Sequence, residues 1–550
     1  MGTASLYKNA KRMEKIIAAL VEQPSVTGTG GECRMVDTMI ELLKQIPYFS
    51  AHPENITRVK LARDALGREA MFALLKKDKE ATDVTILLSH YDVVGVTDYG
   101  PYKEHAFQPK QLTTLLKQSN INFLDPSAQT DLFSDNYLFG RGVMDMKAGL
   151  AMQMSVLHDL SEDKAFQKNI LLIATPDEEN LSAGMFAAVR KLHQLKVENG
   201  WHYKACVCSE PNFAAFPGDD NKYIYTGSTG KLLPFIFCLG RETHVGQPLE
   251  GISAALMAAQ LAVELEWADE FVDEWGGETS PSPTCLRIRD LKGQYDVQTP
   301  NEAYLLYNVL TLTSAPEAVV NKLVNLCRRA GGEIVQKLTV KRQMQQKTQE
   351  SSGHTALTKP AVFTFSELYQ LGITKYGDPF KEAIAFLLED PVFQTKGYTE
   401  QTLEIARTVS AYFYDEAPFY FILLQPPYYP HVRLDEQQHQ SLLKITAEIK
   451  ALAAEAFSED VKIKTFFPGL SDVSYCYAAG NGDIHAMLQK NMPLLQHSYD
   501  IPTKEMAQLS IPTINIGPYG KDAHKRSERL ELTYSTNIAP VLLMEALKKI

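Results

Sequence analysis

The sequence predicts an α/β protein: a three-layer αβα domain with a largely parallel sheet, interrupted by a smaller βαββαβ domain. Three observations carry this reading. Short β-rich runs alternate with helical patterns over the first 230 residues, the rhythm changes at about Gly230, and another apolar strand pattern returns near the other end. The expected boundaries are 1–230 and 346–550 for the two parts of the larger domain and 231–345 for the insert.

In chain order, Val84–Leu88 (VTILL), Asn169–Thr175 (NILLIAT) and Ala205–Cys208 (ACVC) read as buried strands. Lys147–Leu160 and Leu181–Leu195 carry helical periodicity between them. Past Gly230, Leu232–Leu239 is expected as a strand, Gly251–Glu266 as a helix, and Thr284–Leu291 and Ala303–Leu312 as strands. Ala315–Ala330 is expected as a helix and Ile334–Arg342 as a last strand. That order describes a ferredoxin-like sandwich with helices on one face. The polar stretch Gln343–Pro360 is expected as a linker, after which the larger domain resumes with helices and one β-rich run, Phe419–Gln425. Ile511–Gly517 (IPTINIG) reads as one more buried strand.

Lys and Arg number 55 against 66 Asp and Glu, a formal charge of −11, which argues against nucleic acid and anionic membranes as partners. No apolar stretch is long enough to span a bilayer. The seven cysteines, Cys33, Cys206, Cys208, Cys238, Cys285, Cys327 and Cys476, are scattered and odd in number, so a reducing compartment is expected rather than a disulfide framework. The N-terminal MGTASLYKNAKRMEKII is an amphipathic helix start without an apolar signal core, and Leu6 stands where a myristoylation pattern wants Ser or Thr. The expected location is the cytoplasm.

The chemistry lies in residues just past strands, where open α/β sheets place functional groups. His90 follows VTILL in SHYDVV, with Asp92 two residues on, near enough to orient the ring. Glu178 and Glu179 follow NILLIAT in TPDEEN, Glu210 follows ACVC in CSEP, and His524 lies past IPTINIG in DAHKRSERL. Asp145 opens a helix from the glycine-rich FGRGVMDMKAG, which lacks the GxxxxGK[ST] spacing of a phosphate loop. Two His and three carboxylates suit a pair of zinc ions, and a carboxylate such as Asp145 can bridge two ions because each oxygen binds one.

SHYDVV, GRGVMDMKAG, PDEEN, SEP and the late AH, in that order, resemble the M20 metallopeptidase family of aminoacylases, dipeptidases, carboxypeptidases and deacetylases. Order, spacing and length are most similar to its arginine-utilisation branch. The resemblance implies a zinc-peptidase-like catalytic domain with the insert as a lid that mediates homodimerisation. It further implies that His90 and Glu210 hold one zinc, Glu179 and His524 the other, that Asp145 bridges them, and that Glu178 is the general base. GRETHVGQPLEGISA is similar to the lid motif whose histidine, here His244, polarises the substrate carbonyl in a neighbouring active site. Asp472, in PGLSDVSY, stands where the family has a Gly-Thr-Asp turn and is a candidate for substrate contact or for a structural hydrogen bond.

One departure stands out. Aligning the family's lid proline with Pro300 puts Val297 and Leu310 where relatives that clamp a substrate carboxylate carry Asn and Arg. Arg287 and Arg289 are the nearby cations, two residues apart and so on one face of a strand. The function expected is hydrolysis of an amide bond in a small amino-acid-like substrate, an N-acyl amino acid or a dipeptide, with Mn or Co able to use similar ligands in place of zinc. The alternatives are an aminopeptidase acting on a free α-amino group, or a non-catalytic amino-acid-binding regulator on the same fold. A retained general base speaks against the last.

Overall fold

The computed structural model describes residues 5–348, 358–477 and 483–550, apart from 213, 215 and 217. The chain divides into two compact units: Met1–Ser228 with Val432–Ala479 and Lys504–Ile550, and Thr229–His431 with Gly480–Thr503. Among the described residues no helix is long and apolar enough to cross a membrane. All seven cysteines are free.

The first unit is organised by an eight-stranded mixed sheet. Its order is Ile56–Lys60, Glu69–Leu75, Asn169–Thr175, Asp83–His90, His202–Cys208, Thr513–Ile516, Lys222–Tyr225 and Val461–Lys464. The four middle strands, from Asn169–Thr175 to Thr513–Ile516, run parallel. Asn169–Thr175 is buried at every position, which is why NILLIAT carries no polar alternation. Ile170, Leu172 and Ala174 join a core with the helices Ala10–Glu22, Lys147–Glu162, Gln440–Phe457 and Ala539–Lys549. On the other face the sheet carries the helix Ala183–Asn199, whose Met185, Phe186, Val189 and Leu192 are buried. The expected three layers are present.

The second unit is built on a five-stranded sheet in the order Thr284–Asp290, Glu302–Thr311, Gly230–Leu239, Phe419–Tyr429, Ala361–Thr364. The expected β-α-β-β-α succession is present, and the remaining expectations for this unit are corrected. Ile334–Arg342 is not a strand but lies inside the helix Pro316–Thr348. Its β-branched residues imitate strand alternation, yet Ile334, Leu338 and Arg342 are the buried ones, a spacing of four that belongs to a helix. The closing strand is instead Phe419–Tyr429, which the sequence reading assigned to the larger domain and which pairs along Gly230–Leu239. Accordingly the second unit extends to His431, past the expected boundary at 345, and Gln343–Thr348 is helix rather than linker. Positions 349–357 of the expected linker lie outside the described residues.

Helices also cover both faces of this sheet, not one. Ala254–Leu265 and Pro316–Thr348 pack on one side. On the other, Leu233, Phe235, Phe237, Phe419, Phe421 and Leu423 form a core with Phe365–Tyr376, Asp378–Glu389 and Tyr398–Ala411.

Candidate metal centre

Parallel pairing fixes where the side chains of the first unit arrive. The C-terminal ends of four adjacent strands deliver, across the sheet, Glu178 and Glu179, then His90, then Glu210, then the segment leading to His524. Two glycines allow the close approach this requires. A Cβ on Gly149, in the helix after Asp145, would lie 2.1 Å from the Ser209 carbonyl oxygen, and one on Gly517 would lie 1.8 Å from that of Glu210. Both positions therefore exclude any side chain beside the Ser209–Glu210 turn.

Asp145 is the centre of the cluster. Its Oδ1 lies 3.2 Å from His90 Nε2 and its Oδ2 3.2 Å from His524 Nε2, so each oxygen faces a different imidazole. His524 Nε2 is also 3.0 Å from Glu179 Oε1. His90 Nε2 is 3.7 Å from Glu210 Oε2 and 3.8 Å from Glu178 Oε2. Ligand atoms of His90, Asp145 and Glu179 all fall within 4.8 Å of one another. The structure thus brings together all five residues expected as ligands, with Glu178 beside them.

Asp92 supports the cluster differently from expectation. Its backbone carbonyl, 3.0 Å from His90 Nδ1, orients the ring more closely than its carboxylate, which is 3.6 Å away. The carboxylate instead accepts hydrogen bonds from the Glu178 and Glu179 amides at 3.1 and 3.2 Å, and from the Thr27 hydroxyl at 2.9 Å. It therefore sets the loop that presents both glutamates.

The electrostatics are those of buried acids short of positive charge. Burial, reinforced by Glu210 and Glu179, holds the Glu178 carboxyl well above its ordinary range against the pull of His90. Burial and then the charge of Asp145 push Glu179 up to about 7, and burial raises Glu210 against His90. Asp145 goes the other way: its burial is outweighed by hydrogen bonds from His524 and His90, which hold it low. His90 resists burial through the charges of Glu178 and Glu210 and is raised well above its usual value. Hydrogen bonds to Asp145 and Glu179 raise His524 to about 10. Among the described residues no Lys or Arg pairs with these four carboxylates. Two imidazoles and four acids with no other counter-charge form a donor set that fits divalent cations.

Sequence reasoning missed the charged frame behind this cluster. Arg68 donates to Asp177 at 2.6 Å and to Glu32 at 3.2 Å, while the Asp177 amide donates to Glu32 at 3.1 Å, anchoring the Glu178–Glu179 loop. Arg141 and Glu528, fully buried, form a second pair at 2.7 Å. Arg141 stands inside FGRGVMDMKAG, Glu528 in DAHKRSERL and Glu32 at the end of SVTGTGGE, whereas Arg68 carries no local signal.

The remaining expected residues are placed as follows. Asp472 is buried in the first unit, accepts a hydrogen bond from Thr175 at 2.7 Å, and is pushed up to about 7 chiefly by burial. Arg287 and Arg289 are exposed on the edge strand Thr284–Asp290 of the second unit, and Arg287 donates to the Tyr304 hydroxyl at 3.3 Å. His244 is exposed in the same unit, its segment held by backbone bonds Val245 to Val297 and Thr299 to Thr243 at 2.8 and 2.9 Å. Its Nδ1 accepts from the Gly246 amide at 3.1 Å, so in the neutral ring Nε2 carries the hydrogen, with no acceptor among the described residues.

These shifts set a pH dependence. Glu179, the ligand candidate pushed up to about 7, favours the fold of metal-stripped protein while protonated. That contribution is complete below the ordinary carboxylate pKa of about 4 and is lost as pH rises through about 7. Metal-stripped protein should therefore lose thermal stability over this window relative to metal-loaded protein, whose ligands stay ionised, and metal uptake should release protons. Melting curves of both forms from pH 4.5 to 7.5 check this; a separation in Tm independent of pH contradicts it.

A model of peptidase family M20/M25/M40 matches residues 86–485. The chain is 36% identical to the uncharacterized protein YqjN of Bacillus subtilis, over 96% of this chain and 94% of that one. It is 30% identical to protein RocB of the same organism, over 98% and 94%. The solved M20 family metallo-carboxypeptidase Sso-CP2 from Sulfolobus solfataricus shares the fold at a TM-score of 0.53 and 11% identity, over 98% of both chains. With a family match over most of its length and His, Asp and Glu gathered at the sheet's C-terminal edge, the chain belongs to peptidase family M20/M25/M40 and is a metal-dependent hydrolase.

Proposed function

We propose that this protein is a two-zinc amidohydrolase that cleaves an N-acyl amino acid, a dipeptide or a related small amide, in the catabolism of arginine or another amino acid. The observation that carries the reading is Asp145, whose two oxygens each face one imidazole within a set of four buried carboxylates. His90 and Glu210 would hold one ion, Glu179 and His524 the other, with Asp145 between them; Mn or Co would suit the same donors. Bound divalent ions supply Lewis-acid polarisation of the scissile carbonyl and acidify nearby water.

Glu178 is the group that moves the proton. Its amide is tied to Asp92, so its position does not depend on ligating an ion. It takes a proton from the attacking water as the new carbon–oxygen bond forms, and returns it to the nitrogen as the carbon–nitrogen bond breaks. His244, whose Nε2–H has no acceptor among the described residues, donates to the developing oxyanion. Asp472 keeps a structural role through Thr175, while Arg287 and Arg289 remain the cations available to a substrate carboxylate. Val297 and Leu310 offer no such charge, an observation that favours the second reading, an aminopeptidase recognising a free α-amino group.

The chain would work in the cytoplasm as a homodimer through the second unit. There the edge strand exposes Leu286 and Ile288 and the adjoining helix exposes Leu256 and Val263, apolar groups that a second copy would cover.

Activity of the zinc-loaded protein on a panel of N-acyl amino acids, dipeptides and longer peptides tests the proposal; cleavage of longer peptides at a free amino terminus, with no turnover of N-acyl amino acids, selects the second reading. Glu178→Gln should lower kcat by about a hundred- to ten-thousand-fold with metal content unchanged. Loss of zinc in that variant makes Glu178 a ligand and reverses its role with Glu179. His244→Ala should lower kcat by about a hundred- to a thousand-fold, again with metal retained. If His244 serves the partner's site, mixing the two inactive variants restores part of the activity; no recovery despite measured subunit exchange contradicts the shared site.

A further inference from the structure

We propose that the buried pair Arg141–Glu528 is a positioning device that sets the spacing of Asp145 and His524 and so controls one of the two ion positions more than the other. The inference rests on the two-ion reading above and adds to it two residues that are not ligands.

The two side chains reach both ligand segments through the backbone. Glu528 Oε2 takes the Arg141 guanidinium at 2.7 Å, while its Oε1 accepts from the Met144 and Asp145 amides at 3.3 and 3.4 Å. Arg141 Nη2 donates to the His524 carbonyl at 3.3 Å and to both oxygens of Asp98 at 3.0 Å. One acid therefore holds the turn carrying Asp145, and its partner holds the loop carrying His524. The segments are also joined just outside the pair: Arg529–Glu531 pairs with Tyr137–Phe139, and the Gly140 amide donates to the Glu528 carbonyl at 3.1 Å. The ion pair sits where this small sheet ends and the ligand turns begin.

A buried ion pair gains little net stability over an apolar pair of the same volume, because both charges lose their hydration. Directional bonds are what an apolar pair cannot replace, and here they end on the main chain of two ligands. Selectivity follows from the other supports. His90 is oriented by the Asp92 carbonyl, and Glu210 by Ser471 at 3.2 Å and by Asn515, which donates to its carbonyl at 2.9 Å. None of these involves Arg141 or Glu528. The His524 ring is half exposed; its own carbonyl is held by Arg141, while the rest of the loop is tied by the Asp522 carboxylate to Lys525, Ser527 and Arg529. Asp145 is common to both positions, but the Arg141 contact reaches the His524 side alone, so changing the pair should loosen the Glu179–His524 position more than the His90–Glu210 position.

The test is calorimetric titration of metal-stripped, full-length protein with Zn2+ for wild type, Glu528→Gln, Arg141→Lys, and Leu160→Ala as a destabilised core control. Wild type should bind two ions. In Glu528→Gln one ion should bind about 10- to 100-fold more weakly, the range typical for groups that support ligands, and the other should weaken by clearly less. Arg141→Lys, which keeps the charge, should weaken the same ion and guards against a Glu528 variant that does not fold. Leu160→Ala should lower Tm and bind both ions normally. Two ions in wild type with unchanged affinities in both pair variants, or equal weakening of both ions, overturns this inference alone. A single ion in wild type overturns the two-ion reading and this inference with it.

Discussion

Four carboxylates gathered beneath two imidazoles, with Asp145 between the rings, are the constraint on which the first unit depends. Ionised acids at this burial lose most of their hydration and repel one another. The fold answers with directed donors rather than with lysines or arginines at the carboxylates. Asp92 turns the glutamate loop by its main chain, Glu32 and Arg68 brace Asp177, and Arg141 with Glu528 braces Asp145 and His524. The positive charge is placed one layer behind the acids, which leaves the acids themselves free for divalent ions.

That arrangement explains the sheet. Four neighbouring parallel strands end on one edge, so short connections suffice to bring donors from positions as distant as 90 and 524 to one point. The glycines at 149 and 517 admit main chain where any side chain would collide with the Ser209–Glu210 turn. Packing and chemistry are set by the same few residues: the fully buried strands exclude water from the back of the cluster while its front, at His524, stays half open.

Much of this was legible in the residues. Strand ends were readable because the runs before His90, Glu178 and Glu210 are largely apolar, and the candidate ligands stand at matching places. The failures share a cause, the absence of local signal for non-local pairing. Ile334–Arg342 looks like a strand until packing shows burial every fourth residue. Phe419–Tyr429 is plainly a buried strand, but nothing in it says that Gly230–Leu239 is its neighbour across some 180 residues. The same holds for Arg68 with Asp177, and for the Asp92 carboxylate, whose nearest neighbour in sequence, His90, is not its main partner in space.

The central claim is that Asp145 joins two ions. Anomalous diffraction from crystals of zinc-loaded protein measures this directly. The account predicts two peaks about 3.5–4 Å apart on either side of the Asp145 carboxylate, one by His90 and Glu210 and one by Glu179 and His524. A single peak at full occupancy, or ions that do not contact Asp145, would contradict it.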